Sequence, residues 1–108
     1  MADVVPLHDP TNYKRVLERI RRLWNEGTTE FPPHAQERME EWAIDVLDIR
    51  HVIKYGRLVE HSRPGALWRY RIEGRTVDGD RLAVVVEIDG HLIVVTVLVL
   101  RVHRRKGK

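Results

Sequence analysis

The chain of 108 residues contains no cysteine. That removes disulfides, thiolate zinc ligands and cysteine nucleophiles, and it fits a reducing compartment, so a cytoplasmic location is expected. No apolar run approaches the roughly 18 residues that a membrane-spanning helix needs, and no membrane partner is expected. The opening MADVVPLHDP lacks the basic-then-apolar order of a secretory signal. No glycine-rich phosphate loop and no nucleophile elbow occurs. The histidines are scattered, and no pair has the close helical spacing of a zinc site. Neither a metal nor another cofactor is therefore expected. Internal repeats and low-complexity segments are also missing.

What is present describes a globular domain of ordinary size. Hydrophobic residues make up 43% and charged residues 32% of the chain. The net charge of +3 comes from 19 basic and 16 acidic residues. The excess is uneven. The last eight residues, RVHRRKGK, hold five Lys or Arg and no acid, so the other 100 carry 14 basic and 16 acidic residues. A nearly neutral body thus ends in a cationic arm. A solvated tail is the simpler account of that arm, and phosphate contact through Arg101, Arg104, Arg105 and Lys106 is the sharper one.

The segment DPTNYKRVLERIRRLWNEG reads as an amphipathic helix. Tyr13, Val16, Leu17, Ile20, Leu23 and Trp24 keep the spacing of one apolar face, Asp9 or Thr11 suits its start, and Gly27 suits its end. TTEF suggests a short strand, which Pro32 and Pro33 terminate. A second helix is expected from His34 to Trp42, with Ala35, Met39 and Trp42 inward. Asp45 then caps a third, VLDIRHVIKY, closed by Gly56. From Arg57 the rhythm becomes that of strands, over 57–62, 67–75, 81–88 and 91–101, broken at RPGA, TVDGD and DG. Connections this short join antiparallel neighbours. The expected class is α+β, with N-terminal helices packed on a four- to five-stranded antiparallel meander.

Register can be argued from the residues. Trp68, Tyr70 and Ile72 alternate with Arg69, Arg71 and Glu73, and Leu82, Val84, Val86 and Ile88 form a matching row. A two-residue hairpin at Asp78-Gly79 would set Glu73 against Val84 on the core side. A three-residue loop with Gly79 in the left-handed region avoids burying that carboxylate, which would cost several kcal/mol. Ile72 then opposes Val84, Tyr70 opposes Val86, and Arg69 opposes Glu87. The last strand, HLIVVTVLVL, is apolar on both faces. Strict alternation sets Leu92, Val94 and Leu98 opposite the side that holds Trp68, Tyr70 and Ile72. That second side then needs a cover, from the first helix or from a second copy of the chain.

Two groups of residues suit chemistry. His34 and Arg38 fall one turn apart at a helix start, where an imidazole can accept the proton of a 2′-hydroxyl and a guanidinium can stabilise charge on a phosphate. Ordinary helix-surface pairing of Arg38 with Glu37 or Glu41 is the plainer account. Arg69, Arg71 and Glu87 form a second group on the non-core face of the meander, as cross-strand ion pairs or, in a cleft, as phosphate ligands and a general base.

HAQERMEEWAI, DVLDIRHVIKYGRLVE and LAVVVEIDGHLIVVTVL together resemble a small bacterial family of unknown function grouped with the RelE/ParE/BrnT-like toxin superfamily. The match rests on His34-Ala35, Arg38-Met39, Gly56 and Thr96-Val97, over about residues 28 to 100. The first helix (1–27) and the basic tail (101–108) are additions to that core within a single domain. The chain departs from the pattern at Trp42, where a second arginine is common, and at Leu98, where an aromatic is common. Both substitutes are expected to fit a core.

The resemblance implies a RelE-like fold and the toxin of a toxin–antitoxin pair, a metal-independent endoribonuclease with RNA as substrate and an antitoxin as protein partner. The catalytic residues would be His34, Arg38, Arg69 and Glu87. Arg71, Arg101, Arg104, Arg105 and Lys106 would bind the nucleic acid. The net acidic body and the two departures count against catalysis, and the doubly apolar final strand and the extra first helix support an alternative, a non-catalytic member that binds a protein or forms a homodimer. A nucleic-acid-binding module, resting on the tail and the basic face of the first helix, is a third reading.

Overall fold

The computed structural model describes residues 9–103. Three helices and five strands follow in the order α1 (Tyr13–Glu26), β1 (Thr29–Glu30), α2 (Pro33–Glu41), α3 (Val46–Tyr55), β2 (Arg57–Ser62), β3 (Arg69–Arg75), β4 (Arg81–Ile88) and β5 (Leu92–Arg101). The class is α+β. The five strands form one sheet in the order β1-β5-β4-β3-β2. β2 to β5 make the antiparallel meander expected from their short connections, but β1 runs parallel to β5, with Thr29 beside Leu92 and Glu30 beside Ile93. The sheet is therefore mixed, not purely antiparallel. The parallel pair is possible because two helices and three strands separate β1 from β5, more than the length that a parallel crossover requires.

Each helix has identifiable ends. α1 is capped by Asn12, whose side chain accepts the Arg15 backbone N–H at 3.2 Å. Asp9 and Thr11, the expected caps, instead bond to each other just upstream. α2 begins with Pro33, whose missing N–H costs nothing in a first turn. It ends with Ala43 in the left-handed region at φ 54°. The Ile44 N–H reaches back to the Met39 carbonyl at 2.7 Å and the Ala43 N–H to Glu40 at 3.2 Å, a Schellman arrangement. α3 carries a full capping box between Asp45 and Asp48. Its last carbonyls are bonded by Arg21 of α1, from Nε to Ile53 at 2.8 Å and from Nη2 to Gly56 at 3.2 Å. Arg21, from the basic face of α1, is thus a clamp between two helices.

All three helices cover one face of the sheet. Val16 and Ile20 of α1, Ala35 of α2, and Ile49, Val52 and Ile53 of α3 form one buried cluster with Leu58, Tyr70, Ile72, Leu82, Val84, Val86, Leu92, Val94 and Val97. α3 lies close on β3. A methyl group on Gly56 would meet the Val52 and Glu73 carbonyl oxygens at 2.4 and 2.6 Å, so only glycine fits between them. The register argued from Glu73 holds: Ile72 pairs Val84, Tyr70 pairs Val86 and Arg69 pairs Glu87, with Gly79 at φ 94° in the turn.

The final strand differs from the expectation. A bulge between Val94 and Thr96 shifts its register against β4, so that Val86 opposes Val94 but Val85 opposes Thr96. The extra residue moves alternate positions to the other face. Leu92 and Val94 join Val97 in the core, on the same side as Tyr70 and Ile72, and only Leu98 of the expected trio faces the opposite way. A strand that is apolar throughout thus has two half-length core faces rather than two covered faces. α1 does not cross to the far side, and no helix among the described residues covers it. Trp42 and Leu98, expected in the core, are 48% and 40% exposed.

Candidate functional site

The uncovered face is laid out in rows by the strand registers. Arg69 and Glu87 stand side by side in one row, followed by Ile93. The next holds Glu60, Arg71, Val85 and Thr96. Then come Arg57, Glu73, Ala83 and Leu98, and at the strand ends Arg75, Arg81 and Arg101. Six arginines share the face with three glutamates. The β2–β3 half is charged, whereas the middle of the β4–β5 half is apolar.

Glu87 and Glu73 are engaged. Arg69 Nε donates to Glu87 Oε2 at 2.9 Å, and Arg71 Nε donates to Glu73 Oε2 at 2.9 Å. Glu73 also lies 3.7 Å from Arg81. Glu87 and Glu73 are both half-buried, so each pair sits in partly desolvated ground where a charge-assisted hydrogen bond is stronger than in open water. A phosphate entering here would compete for the guanidiniums and release the carboxylates.

His34 and Arg38 are elsewhere. They project from α2, on the side of the sheet that the helices cover. His34 is exposed, and Arg38 is held by Glu41 at 2.7 Å on the surface of its own helix. That is the plainer pairing the spacing allowed. The sheet separates the two candidate groups, which do not assemble into one centre. Of the basic residues assigned to nucleic acid, Arg71 lies in the middle of the uncovered face and Arg101 at its end, while Arg104, Arg105 and Lys106 fall outside the described residues. Among the described residues no group of three or more His, Asp or Glu is placed to hold a metal, and no helix is long and apolar enough to cross a membrane.

Sequence reasoning passed over Arg57, Arg75 and Arg81. Their signal was available in the register, because pairing Arg69 with Glu87 sets Arg75 against Arg81. Arg101 joins them only through the bulges in β5, which no residue type announces.

A single helical layer on a mixed five-stranded sheet, with one face left open and rich in arginine, defines the class of domain. Residues 31–99 match the family described as a domain of unknown function, DUF4258, and the chain belongs to that family. No curated protein and no solved structure matches the chain. The family match begins after α1, although Val16 and Ile20 of that helix are part of the core.

Proposed function

We propose that this domain is a RelE/ParE-like toxin of a toxin–antitoxin pair, acting on RNA through the open face of its sheet. The observation that supports the reading best is the collection of six arginines on the one face that no helix covers. An RNA backbone laid across β3 and β4 places phosphates against Arg69 and Arg71. When Arg69 turns to a phosphate, the Glu87 carboxylate is freed to take the proton of a neighbouring 2′-hydroxyl. The 2′-oxygen then attacks the adjacent phosphorus, the 5′-oxygen leaves and takes a proton from water, and a 2′,3′-cyclic phosphate remains. Arg69 and Arg71 stabilise the charge that builds on the phosphate oxygens. His34 and Arg38 have no part in this centre.

A second reading has its own observation. The β4–β5 half of the face is apolar, with Leu98 exposed and Ile93 half-buried above the buried Ala83 and Val85, and this suits a protein partner, an antitoxin segment or a second copy. The two readings separate in one set of measurements. Under the RNA reading, wild-type protein binds a single-stranded oligoribonucleotide with affinity that falls steeply with salt, cleaves it, and arrests growth when expressed. Arg69→Gln with Arg71→Gln weakens binding, and Glu87→Gln retains binding but loses cleavage. Absence of arrest, cleavage and salt-sensitive binding from the wild-type protein would replace the RNA reading with the protein-binding one.

A further inference from the structure

The arginines at the strand ends lie apart from the centre just described. Arg75, Arg81 and Arg101 occupy directly opposed positions on three adjacent strands. Like charges directly opposite one another destabilise a sheet, and here the juxtaposition occurs twice in a single row. Two strand spacings separate the ends of the row, about 10 Å. Among the described residues little neutralises it. Glu73 is 3.7 Å from Arg81 and is bound more closely by Arg71 at 2.9 Å. Asp80, the acid next in sequence, accepts the His103 backbone N–H at 2.7 Å and so ties down the end of β5.

Two clefts open at this row, of about 520 and 430 Å³, and Arg75 and Arg81 line both. The first also carries Arg101 and His103, and the second carries Arg57, His51 and Tyr55. The backbone beneath is fixed, since the Arg75 carbonyl is bonded to His51 Nδ1 at 2.6 Å. Tyr55 is 65% exposed, with its ring 4.8 Å from that of His51.

We infer that this row is a binding site for a di- or triphosphate group. One phosphodiester carries a single negative charge and is satisfied by one forked guanidinium. Three arginines rooted along about 10 Å of the sheet match instead the length and multiple charge of a phosphoanhydride chain. Such a ligand relieves the mutual repulsion of the row, which otherwise is a standing cost to the sheet. The chemistry is shared by inorganic oligophosphate and by a nucleoside triphosphate. The exposed Tyr55 ring in the adjoining cleft is where a base would stack.

Calorimetric titration of the full chain with tripolyphosphate and with ATP tests this. Wild-type protein is expected to bind both, and Arg75→Gln and Arg101→Gln are each expected to weaken tripolyphosphate binding about tenfold. Arg22→Gln, on the exposed face of α1 and across the sheet from the row, leaves that binding unchanged, so the loss is not a general effect of removing positive charge. Tighter binding of ATP that Tyr55→Leu abolishes identifies the nucleotide as the source; equal binding of the two identifies inorganic oligophosphate. A separate readout needs no ligand. In anion-free buffer Arg101→Gln should melt above wild type, because it removes one opposed charge. Failure of tripolyphosphate to bind, equal binding by both arginine variants, or a melting temperature of Arg101→Gln at or below wild type would each overturn the assignment.

Discussion

Ala43 holds a backbone conformation that residues with a side chain seldom adopt. It sits at φ 54° because the Schellman arrangement at the end of α2 requires it, and the cost of the left-handed region for an L-residue is roughly 1–2 kcal/mol. Ala43→Gly removes that strain at an exposed position, although it also loosens the unfolded chain. The expected outcome is a gain of about 1 kcal/mol in unfolding free energy, read from urea denaturation. Tyr70 makes the second residue-scale case. Its side chain is fully buried, and burial pushes the phenol up to about 12 from its ordinary 10.0. Because the folded value lies above the unfolded one, the stabilisation is complete below pH 10 and is lost as the pH rises toward 12. In that window the slope approaches about 1.4 kcal/mol per pH unit. Melting curves of wild type should fall steeply there, and those of Tyr70→Phe, with no phenol to ionise, should fall less.

At the scale of elements, what could be read from the sequence and what could not divides along physical lines. The helices were legible because their signals are local: the apolar stripe of α1, the prolines before α2, and Asp45 with Gly56 around α3. The β3–β4 register was legible because Glu73 made one alignment costly. β5 was not. Its apolar residues are nearly interchangeable, so a one-residue bulge leaves no mark on the pattern, yet it decides which leucines and valines enter the core. That bulge and a second one between Val99 and Arg101 together kept Arg101 from being placed beside Arg81. Nor did the pairing of β1 show itself, since two residues carry too little pattern to choose a partner.

That short strand has a fastening of its own. His91 Nε2 lies 2.8 Å from Glu30 Oε1, joining β1 to the β4–β5 turn, and this hydrogen bond raises the imidazole above its ordinary 6.5. A group whose folded value is raised contributes fully below the unfolded value, so the fastening holds below pH 6.5 and is lost as the pH climbs through the raised value. A double-mutant cycle of Glu30→Gln and His91→Gln should therefore show coupling near about pH 5.5 and none near about pH 9. Coupling that persists at the higher pH would mean that the neutral imidazole suffices.

For the whole molecule, the distribution of cover matters most. Every helix lies on one side of the sheet, and α1 supplies Val16 and Ile20 to that side although it precedes the family match. Burying two such side chains is worth roughly 3–6 kcal/mol, comparable to the stability of a small domain. Deleting residues 1–26 is therefore expected to leave a chain that lacks a cooperative melting transition and binds the dye ANS. Unchanged melting after that deletion would show that α1 is ornamental. In the intact protein α1 does not touch the open face, because it packs on the other side of the sheet. The charged half and the apolar half of the open face are two surfaces on one rigid support, and an RNA and a protein could contend for it.

The pairing of Thr29 with Leu92 also sets the timing of birth. During synthesis the first strand and α2 leave the ribosome while their partner has yet to be made. α2 and β1 both rest on β5, the last strand to emerge. The nascent polypeptide thus has no partial assembly in which β1 and α2 find their proper neighbour, and these two must be kept from wrong ones until the end. A stalled chain that exposes only residues up to 91 should be digested rapidly by protease. One that exposes residue 103 should resist digestion, in a single step between the two lengths.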